Sequence, residues 1–361
     1  MLKNRKEYFQ FTLTLLIFCI TAIALFSSGC TSQTTQAADT TIDVGDNGYT
    51  EWKNDTYTTI KLEETKATVD GDGAEAKDST VTISKAGTYV ISGKLTNGSI
   101  VVNSSTDGTV RLVLNGTEIH SETSAPIYIK DAGKAIISLE PDTTNTLSDG
   151  TNRVYDDTAN SEPDAVVFSK SDLSFNGTGS LTVTAQSGDG IKCKDALMMV
   201  EGTYTVTSAD DGIVGRDSAQ FAGGTYTIKA TGDGIKATND EDASQGKVLI
   251  GSGTYTITAG ADGIQAVTDL TVKDGQFTIN TGGGSANALT KTDTGVDPGM
   301  KQSDETSTTT DTGSYKGFKS SGALTLDGGA YKLDTKDDAV HANDSVTINK
   351  GTVNIASGDD G

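Results

Sequence analysis

Residues 203–235 read TYTVTSADDGIVGRDSAQFAGGTYTIKATGDGI, and this stretch contains one pattern twice, 22 residues apart. Each copy has an alternating run that begins Thr-Tyr-Thr, and the Asp-Gly-Ile tripeptide recurs at Asp211 and Asp233. Repetition at a fixed period of this size is typical of a solenoid. If one repeat forms one coil, equivalent residues stack about 4.8 Å apart. We therefore predict an all-β, right-handed, single-stranded parallel β-helix with coils of about 22 residues, its hand following from the crossover rule.

Aligned repeats place large apolar residues in two columns on the same side of each strand. One column contains tyrosines such as Tyr204 and Tyr226, and the other contains Val206 and Ile228. Residues two apart on a strand share a face, so both columns are predicted to fill the core, with the intervening threonines outside. The alternative, a tyrosine platform that stacks on sugars, is less consistent with this parity. Cys193 aligns with alanines of other repeats and is predicted to be a small buried residue.

An aspartate occupies the equivalent place of six repeats. These residues, the aspartate ladder, are Asp189, Asp211, Asp233, Asp262, Asp338 and Asp360, and Lys316 stands where another is expected. Stacked carboxylates raise one another's pKa unless a positive group lies between them. One interpretation is turn chemistry, because Asp-Gly is favoured in turns. The other is calcium, which takes about six to eight oxygen ligands.

Doubled acids and a short acidic insertion favour calcium at some positions. The predicted metal ligands are Asp189, Asp210, Asp211, Asp233, Asp240, Glu241, Asp242, Asp262, Asp337 and Asp338. A second acidic column is expected across the same corner of the coil, at Asp195, Asp217, Asp269 and Asp344. The spacing of an EF-hand is absent.

A set of basic and polar residues follows the ladder at a short interval. The predicted carbohydrate-binding residues are Lys192, Arg216, Lys236, Gln265, Lys319 and His341. They compensate the acidic face, or they donate hydrogen bonds to the hydroxyls and carboxylates of a uronic-acid chain. No position breaks the repeat as a specialised reaction centre should, so we predict no catalytic residue.

The N-terminus predicts export. Lys3, Arg5 and Lys6 precede an apolar stretch at 11–26 and the sequence Ser-Ser-Gly-Cys ending at Cys30. This order is similar to a lipoprotein signal, with Cys30 acylated; a secretory signal or an uncleaved anchor are the alternatives. We expect residues 1–30 to be the signal and lipidation site, 31–45 a tether, and 46–361 a monomeric β-helix on the outer face of the bacterial cell membrane. Residues 281–315 read as a flexible insertion, and the chain as truncated at its C-terminus.

Composition limits the partners. The 361-residue chain has a formal net charge of −21 and 34% apolar residues. A strongly acidic chain is unsuited to phosphate contacts, so no nucleic-acid partner is predicted. The apolar fraction is low for a compact globule but sufficient for the narrow core of a solenoid.

Four segments carry a resemblance to a known family: 88–93 (TYVISG), 125–130 (APIYIK), 145–150 (NTLSDG) and 233–242 (DGIKATNDED). Over roughly residues 50–361 the chain resembles a clostridial cell-surface family of carbohydrate-binding β-helix proteins. The resemblance implies a polysaccharide-lyase-like right-handed β-helix that binds Ca²⁺ and binds cellulose or pectic polymers such as polygalacturonate. We therefore expect calcium-dependent binding of cell-wall polysaccharide. A pectate-type lyase is the alternative, and a structural surface spacer is a third possibility.

Overall fold

The computed structural model of the chain describes residues 41–105, 107–288 and 313–361. The predicted signal, the lipidation site Cys30 and residues 31–40 of the predicted tether lie outside the described residues, as do residues 289–312 of the predicted insertion. In the described ranges, no helix is long and apolar enough to cross a membrane.

The described residues form 31 strands and three short 3-10 helices, the latter at Gly45–Gly48, Trp52–Asn54 and Ser285–Asn287. The first strands are β1 Tyr57–Glu64, β2 Lys66–Asp70, β3 Ala74–Lys77, β4 Thr80–Ile83, β5 Gly87–Leu95, β6 Ser99–Asn103, β7 Thr109–Ser121, β8 Ile127–Asp131, β9 Lys134–Leu139 and β10 Thr144–Asp149. The next are β11 Ala165–Ser169, β12 Leu173–Asn176, β13 Ser180–Ala185, β14 Asp189–Cys193, β15 Ala196–Met199, β16 Thr203–Ser208, β17 Ile213–Gly215, β18 Ser218–Phe221, β19 Thr225–Ala230 and β20 Ile235–Ala237. The last are β21 Lys247–Ile250, β22 Thr254–Ala259, β23 Ile264–Ala266, β24 Leu270–Val272, β25 Gln276–Thr281, β26 Phe318–Ser320, β27 Ala323–Leu326, β28 Ala330–Thr335, β29 Val340–Ala342, β30 Ser345–Ile348 and β31 Thr352–Ser357.

These strands wind into a parallel β-helix, which confirms the predicted fold class. Each regular coil adds one strand to each of three parallel sheets, such as β14, β15 and β16, which pair with β17, β18 and β19 of the next coil. We name the three outer surfaces the lysine face (the β14 sheet), the strap face (the β15 sheet) and the threonine face (the β16 sheet). Near the N-terminus, β7 runs across two surfaces and pairs with both β9 and β10.

The core contains the predicted columns. Tyr204, Tyr226, Tyr255, Phe277 and Tyr331 stack with ring centroids 4.7–5.2 Å apart. Each tyrosine hydroxyl in this stack donates to a backbone carbonyl three residues earlier, as Tyr226 does to Gly223 at 2.7 Å. This satisfies the polar end of a buried ring. The core interpretation of the tyrosines is therefore confirmed.

Cys193 also lies in the core, with no exposed surface. Burial raises the pKa of its thiol to about 12. A thiol held neutral in this way is a poor nucleophile, which agrees with a packing role.

Two features at the N-terminal end close and cover the helix. The pairs β1–β2 and β3–β4 are antiparallel, unlike the coils that follow. Residues 45–54, which we call the strap, lie against the outer surface: Asn47 accepts from Ser174 Oγ at 2.8 Å, and Trp52 packs on Val90 and Val113. Trp52 Nε1 donates to Glu140 Oε2 at 3.0 Å.

Candidate cation and carbohydrate site

The aspartate ladder runs along the corner between the threonine face and the lysine face. Asp189 is the first residue of β14, and Asp211, Asp233 and Asp262 each lie two residues before a strand of the lysine face. Asp189, Asp233 and Asp262 are buried, with at most 5% of each residue exposed. The ladder is therefore part of the wall of the helix.

One oxygen of the ladder carboxylates accepts a hydrogen bond from the next coil. Asp189 Oδ1 accepts from the backbone N–H of Asp211 at 3.0 Å. The same contact joins Asp211 to the N–H of Asp233 (2.7 Å), Asp233 to that of Asp262 (2.8 Å) and Asp262 to that of Lys316 (2.7 Å). A carboxylate that accepts a backbone N–H at each coil fixes the register between coils. Much of the ladder's regularity thus has a structural origin.

The second oxygens are paired with lysines. Lys192 Nζ lies 2.9 Å from Asp189 Oδ2 and 2.6 Å from Asp164 Oδ2. Lys236 Nζ lies 2.7 Å from Asp233 and 3.4 Å from Asp211, and Lys319 Nζ lies 2.9 Å from Asp262. These lysine side chains remain 23–27% exposed. They compensate charge along the corner and still present ammonium protons to solvent.

The other predicted carbohydrate-binding residues lie in different places. Gln265 stands between Lys236 and Lys319 in the register of the lysine face. His341 Nδ1 lies 3.0 Å from Asp338 Oδ2, further along the same column. Arg216 follows the end of β17, at the far edge of the lysine face, where it contacts Glu241 at 2.5 Å. The structure thus brings all these residues except Arg216 into one column.

Two sets of acidic residues have the geometry to hold a metal ion. In the described ranges, these are cluster one (Asp189, Asp210 and Asp211) and cluster two (Asp337, Asp338 and Asp359), each offering carboxylate oxygens within 4.8 Å of one another. Asp233 and Asp262 belong to neither group. The acidic insertion lies elsewhere: Asp242 accepts from the N–H of Ser244 at 2.8 Å, and Glu241 pairs with Arg216.

Cluster one and the adjacent Asp164 carry four carboxylates, and the ammonium groups of Lys192 and Lys236 contact three of them. Burial raises the pKa of Asp189 to about 6, and the nearby carboxylates of Asp211 and Asp164 add to the shift while Lys192 opposes it. Burial lowers the pKa of Lys192, but Asp189 and Asp164 raise it by more, so this ammonium stays charged. A bound cation would stabilise the ionised form of this buried carboxylate and so lower its pKa.

A glycine leaves room beside cluster one. A methyl group at Gly232 would press on the carboxylates of Asp211 and Asp210, with 2.8 Å to Asp210 Oδ1. Both carboxylates therefore converge over a residue that has no side chain. The space lies on the coil that follows the cluster.

In cluster two, a lysine side chain supplies the positive charge. Lys316 Nζ lies 2.5 Å from Asp337 Oδ2 and 3.0 Å from Asp338 Oδ2, and its side chain is 13% exposed. Burial raises the pKa of Asp337, but the hydrogen bond and charge of Lys316 together with two backbone hydrogen bonds outweigh it, so the net pKa lies below its ordinary value. The residue that interrupts the aspartate ladder thus supplies one positive charge to the three carboxylates of cluster two.

The second acidic column does not share the corner of the ladder, and the expectation that it does is wrong. Asp195 follows the end of β14, whereas Asp189 begins that strand. At about 3.3 Å per residue, the two columns are roughly 20 Å apart, at opposite edges of the lysine face. They cannot supply ligands to the same ion.

Sequence reasoning missed one residue of the site. Asp164 shares Lys192 with Asp189, and its Oδ1 is buried without a hydrogen-bond partner. Its signal in the sequence is Asp164-Ala165-Val166, a degenerate form of Asp-Gly-Ile one coil before the first ladder member.

A family model described as carbohydrate-binding domain-containing protein matches residues 77–361. The chain belongs to this family. A curated relative with the same description, from Acetivibrio thermocellus, is 36% identical over 135 residues, which is 37% of this chain and 47% of that relative. The chain thus matches about half the length of this relative. A solved structure, described as the polysaccharide lyase-like protein from C. thermocellum in a gadolinium derivative, covers 82% of this chain and 100% of its own with a TM-score of 0.61 and 26% identity.

Proposed function

We propose that this protein binds acidic cell-wall polysaccharide, such as pectic or polygalacturonate chains, through Ca²⁺ held at cluster one. Carbohydrate binding in general follows from the family, and polysaccharide from the lyase-like fold of the solved neighbour. The calcium, the acidic substrate and the site belong to the proposal. The observation that carries it is the incomplete compensation of Asp189 beside Asp210 and Asp211.

The donor set of cluster one suits a hard divalent cation. Three carboxylates supply oxygen ligands, and the partly open side of Asp210 leaves positions for water or for a sugar carboxylate. The solved neighbour was studied as a gadolinium derivative, and gadolinium, like calcium, prefers oxygen ligands. A hard cation in that neighbour is compatible with the proposal for cluster one.

The lysine face would hold the rest of the sugar chain. Lys192 and Lys236 lie two coils apart in one outward column, separated by Val214. Two coils span about 10 Å, so a chain lying along the helix axis could contact both ammonium groups. A uronate carboxylate shared between Ca²⁺ and a lysine would be held by charge-assisted contacts.

The matched pair Asp189→Asn and Asp233→Asn tests this function. In both variants the amide oxygen can still accept the backbone N–H of the next coil, so the register is kept. Asp189→Asn removes a charge from cluster one, whereas Asp233→Asn removes one that belongs to neither cluster and leaves Lys236 beside Asp211. Calorimetric titration with Ca²⁺ and sedimentation with polygalacturonate, each with and without chelator, should show loss of both activities in Asp189→Asn and retention in Asp233→Asn.

Three outcomes would contradict the proposal. Equal loss in both variants would mean that the ladder acts only through charge in general. Polygalacturonate binding that persists in the presence of chelator would show that binding does not depend on calcium. Release of unsaturated uronates, seen as ultraviolet absorbance, would favour a lyase.

We also propose that Cys30 anchors the chain to the outer face of the cell membrane. The basic, apolar and small-residue order of residues 1–30 supports this. Cys30→Ala should release the protein into the medium and abolish its labelling by a fatty-acid analogue. Labelling that persists in this variant would exclude Cys30 as the lipidation site.

A further inference from the structure

Two rows of uncharged polar side chains, all hydroxyl-bearing except one glutamine, cross the threonine face in register over six coils. The row at the middle of each strand contains Thr146, Thr182, Thr205, Thr227, Thr256 and Thr278. The neighbouring row contains Thr144, Ser180, Thr203, Thr225, Thr254 and Gln276. Each coil therefore presents a Thr-x-Thr pair or a close variant of it.

The geometry of this array follows from the parallel sheet. Side chains two residues apart on one strand are separated by about 6.7 Å, and equivalent side chains on neighbouring coils by about 4.8 Å. Threonine is branched at Cβ, so few χ1 rotamers are open to it on a strand. The result is a fixed lattice of hydroxyl and methyl groups about 24 Å long.

The centre of the array is available for binding. The threonines of β16, β19 and β22 in both rows are exposed. Within the described part of the chain, their hydroxyls have no hydrogen-bond partner. No segment like the strap covers them among the described residues.

Charge is kept out of the two rows. Glu118 ends the middle row at one end and Lys332 at the other, with six threonines between them. The third row of the same face does contain a charge, Lys229, between Thr207 and Thr258, so the uncharged strip consists of the two rows alone. The chain carries 49 acidic residues, and the lysine face on the adjoining side carries ion pairs such as Lys192–Asp189 and Lys236–Asp233. Strand propensity accounts for threonine at single positions but not for an uncharged strip of this length.

We propose that the threonine face docks on an uncharged, ordered polysaccharide surface, in which neighbouring chains are already aligned. This proposal rests on the carbohydrate binding described above and assigns neutral polymers to a different face from acidic ones. A strip without charge complements a polymer without charge. Hydroxyl groups match sugar hydroxyls in both donor and acceptor roles, and the methyl groups contact sugar C–H groups.

The rigidity of the array favours an ordered ligand over a flexible chain. Each threonine contact is weak, so binding needs many contacts at once along the lattice. A flexible soluble chain loses conformational entropy when it is aligned, whereas chains in a crystalline polymer are aligned beforehand. Microcrystalline cellulose is therefore a suitable probe, with a soluble cellulose ether as its disordered counterpart.

The test compares two double variants of the full chain with equal change in charge. Thr227→Lys with Thr256→Lys places two ammonium groups at the centre of the array, and Lys332 in the same row shows that the strand accommodates lysine. Thr325→Lys with Thr347→Lys makes the same change on the strap face. Circular dichroism and thermal unfolding should show that both variants fold.

We expect the array variant to bind microcrystalline cellulose at least about tenfold more weakly than the unsubstituted protein, and the strap-face variant to bind it within about twofold. Cellulose binding should persist in chelator, and calcium-dependent binding of polygalacturonate should be unchanged in both variants. A failure of the calcium site would thus leave the cellulose result standing.

Equal cellulose binding by both variants would overturn the proposal, as would absence of binding by the unsubstituted protein. If the protein bound the soluble cellulose ether as tightly as microcrystalline cellulose or more tightly, the ligand would not need to be ordered. If the unsubstituted protein inhibited ice recrystallisation, and the array variant lost this activity while keeping cellulose binding, the lattice would match ice and the proposal would be wrong.

Discussion

Cluster one and cluster two are built from the same doubled aspartates at the same corner of the helix, yet their charges are met differently. In cluster one Lys192 is shared between Asp189 and Asp164, Lys236 lies 3.4 Å from Asp211, and the pKa of Asp189 stays raised. In cluster two Lys316 replaces a ladder aspartate and contacts both Asp337 and Asp338. The residue at the ladder position of Lys316 thus sets how much of the local charge is compensated from within the protein. We expect calcium at cluster one and none at cluster two.

The largest effect is expected from Lys316→Met. Removing this ammonium leaves two partly buried carboxylates uncompensated, and without calcium the free energy of unfolding should fall by about 2–4 kcal/mol. With calcium much of this loss should be recovered, because cluster two would then resemble cluster one. Denaturant unfolding with and without calcium measures both, and titration calorimetry should count one additional ion. If the variant bound no more calcium ions than the unsubstituted protein, Lys316 would not be standing in for calcium at cluster two.

The pH dependence of stability should identify Asp189. Its pKa is about 6 in the folded protein and near 3.8 when unfolded, so the folded state binds more protons between these values. Stability contributed by this group is therefore present below about pH 4 and is lost as pH rises through 6, by about 2 kcal/mol. The comparison is unfolding from pH 4 to 7 without calcium, for the unsubstituted protein and Asp189→Asn. Parallel pH profiles would remove Asp189 as the group responsible.

Calcium affinity should increase over the pH range in which the stability contributed by Asp189 decreases. Because the ion binds the deprotonated carboxylate, affinity at cluster one should rise as pH increases through 6. Titration calorimetry at pH 5 and pH 7 measures this. Stronger binding at pH 5 would be inconsistent with Asp189 as a ligand.

Gly232→Ala sharpens the comparison without changing any charge. The added methyl group would displace the carboxylates of Asp210 and Asp211, and we expect about a tenfold loss of calcium affinity, or about 1.4 kcal/mol. Gly212→Ala is not a suitable control, because its Cβ would meet the backbone of Gly234. Gly223→Ala, whose Cβ has 3.4 Å to its nearest neighbour, is a better one. Retained affinity in Gly232→Ala would show that the ion sits away from these carboxylates.

The smallest effect is expected from Glu241→Gln in the acidic insertion. Its partner Arg216 is 34% exposed and Glu241 is 77% exposed, so the pair should contribute less than about 0.5 kcal/mol. Calcium affinity should not change, because Glu241 lies outside both clusters. Weaker calcium binding in this variant would establish a third site in the insertion.

The 22-residue period was sufficient to predict the coil, the core columns and the corner occupied by the aspartate ladder. These follow from local alternation and repetition, and each coil contacts only its neighbours. The role of Lys316 was also encoded in the period, since Lys316 and Asp338 are one coil apart, but the lysine looked like an interruption and not like a partner.

Other features could not be predicted from repetition. The strap contacts residues more than 100 positions away, as in the hydrogen bond between Asn47 and Ser174, and it contains no copy of the repeat. Arg216 was grouped with the lysines because of its distance from Asp211, but β17 ends at Gly215, so Arg216 lies beyond the shared column. The position of a turn, which spacing alone does not give, decides which corner a side chain occupies.

The strap has a practical consequence, because it carries Trp52, the single tryptophan of the chain. The indole is 6% exposed, with its ring edge-on to Tyr57 at 5.5 Å. Its fluorescence emission therefore reports on the docking of this one segment, while the tyrosine stack of the coils contributes the shorter-wavelength signal. Detachment of the strap would shift the tryptophan spectrum to the red before the coils unwind. The molecule thus contains two intrinsic optical probes, one for its covering segment and one for its core.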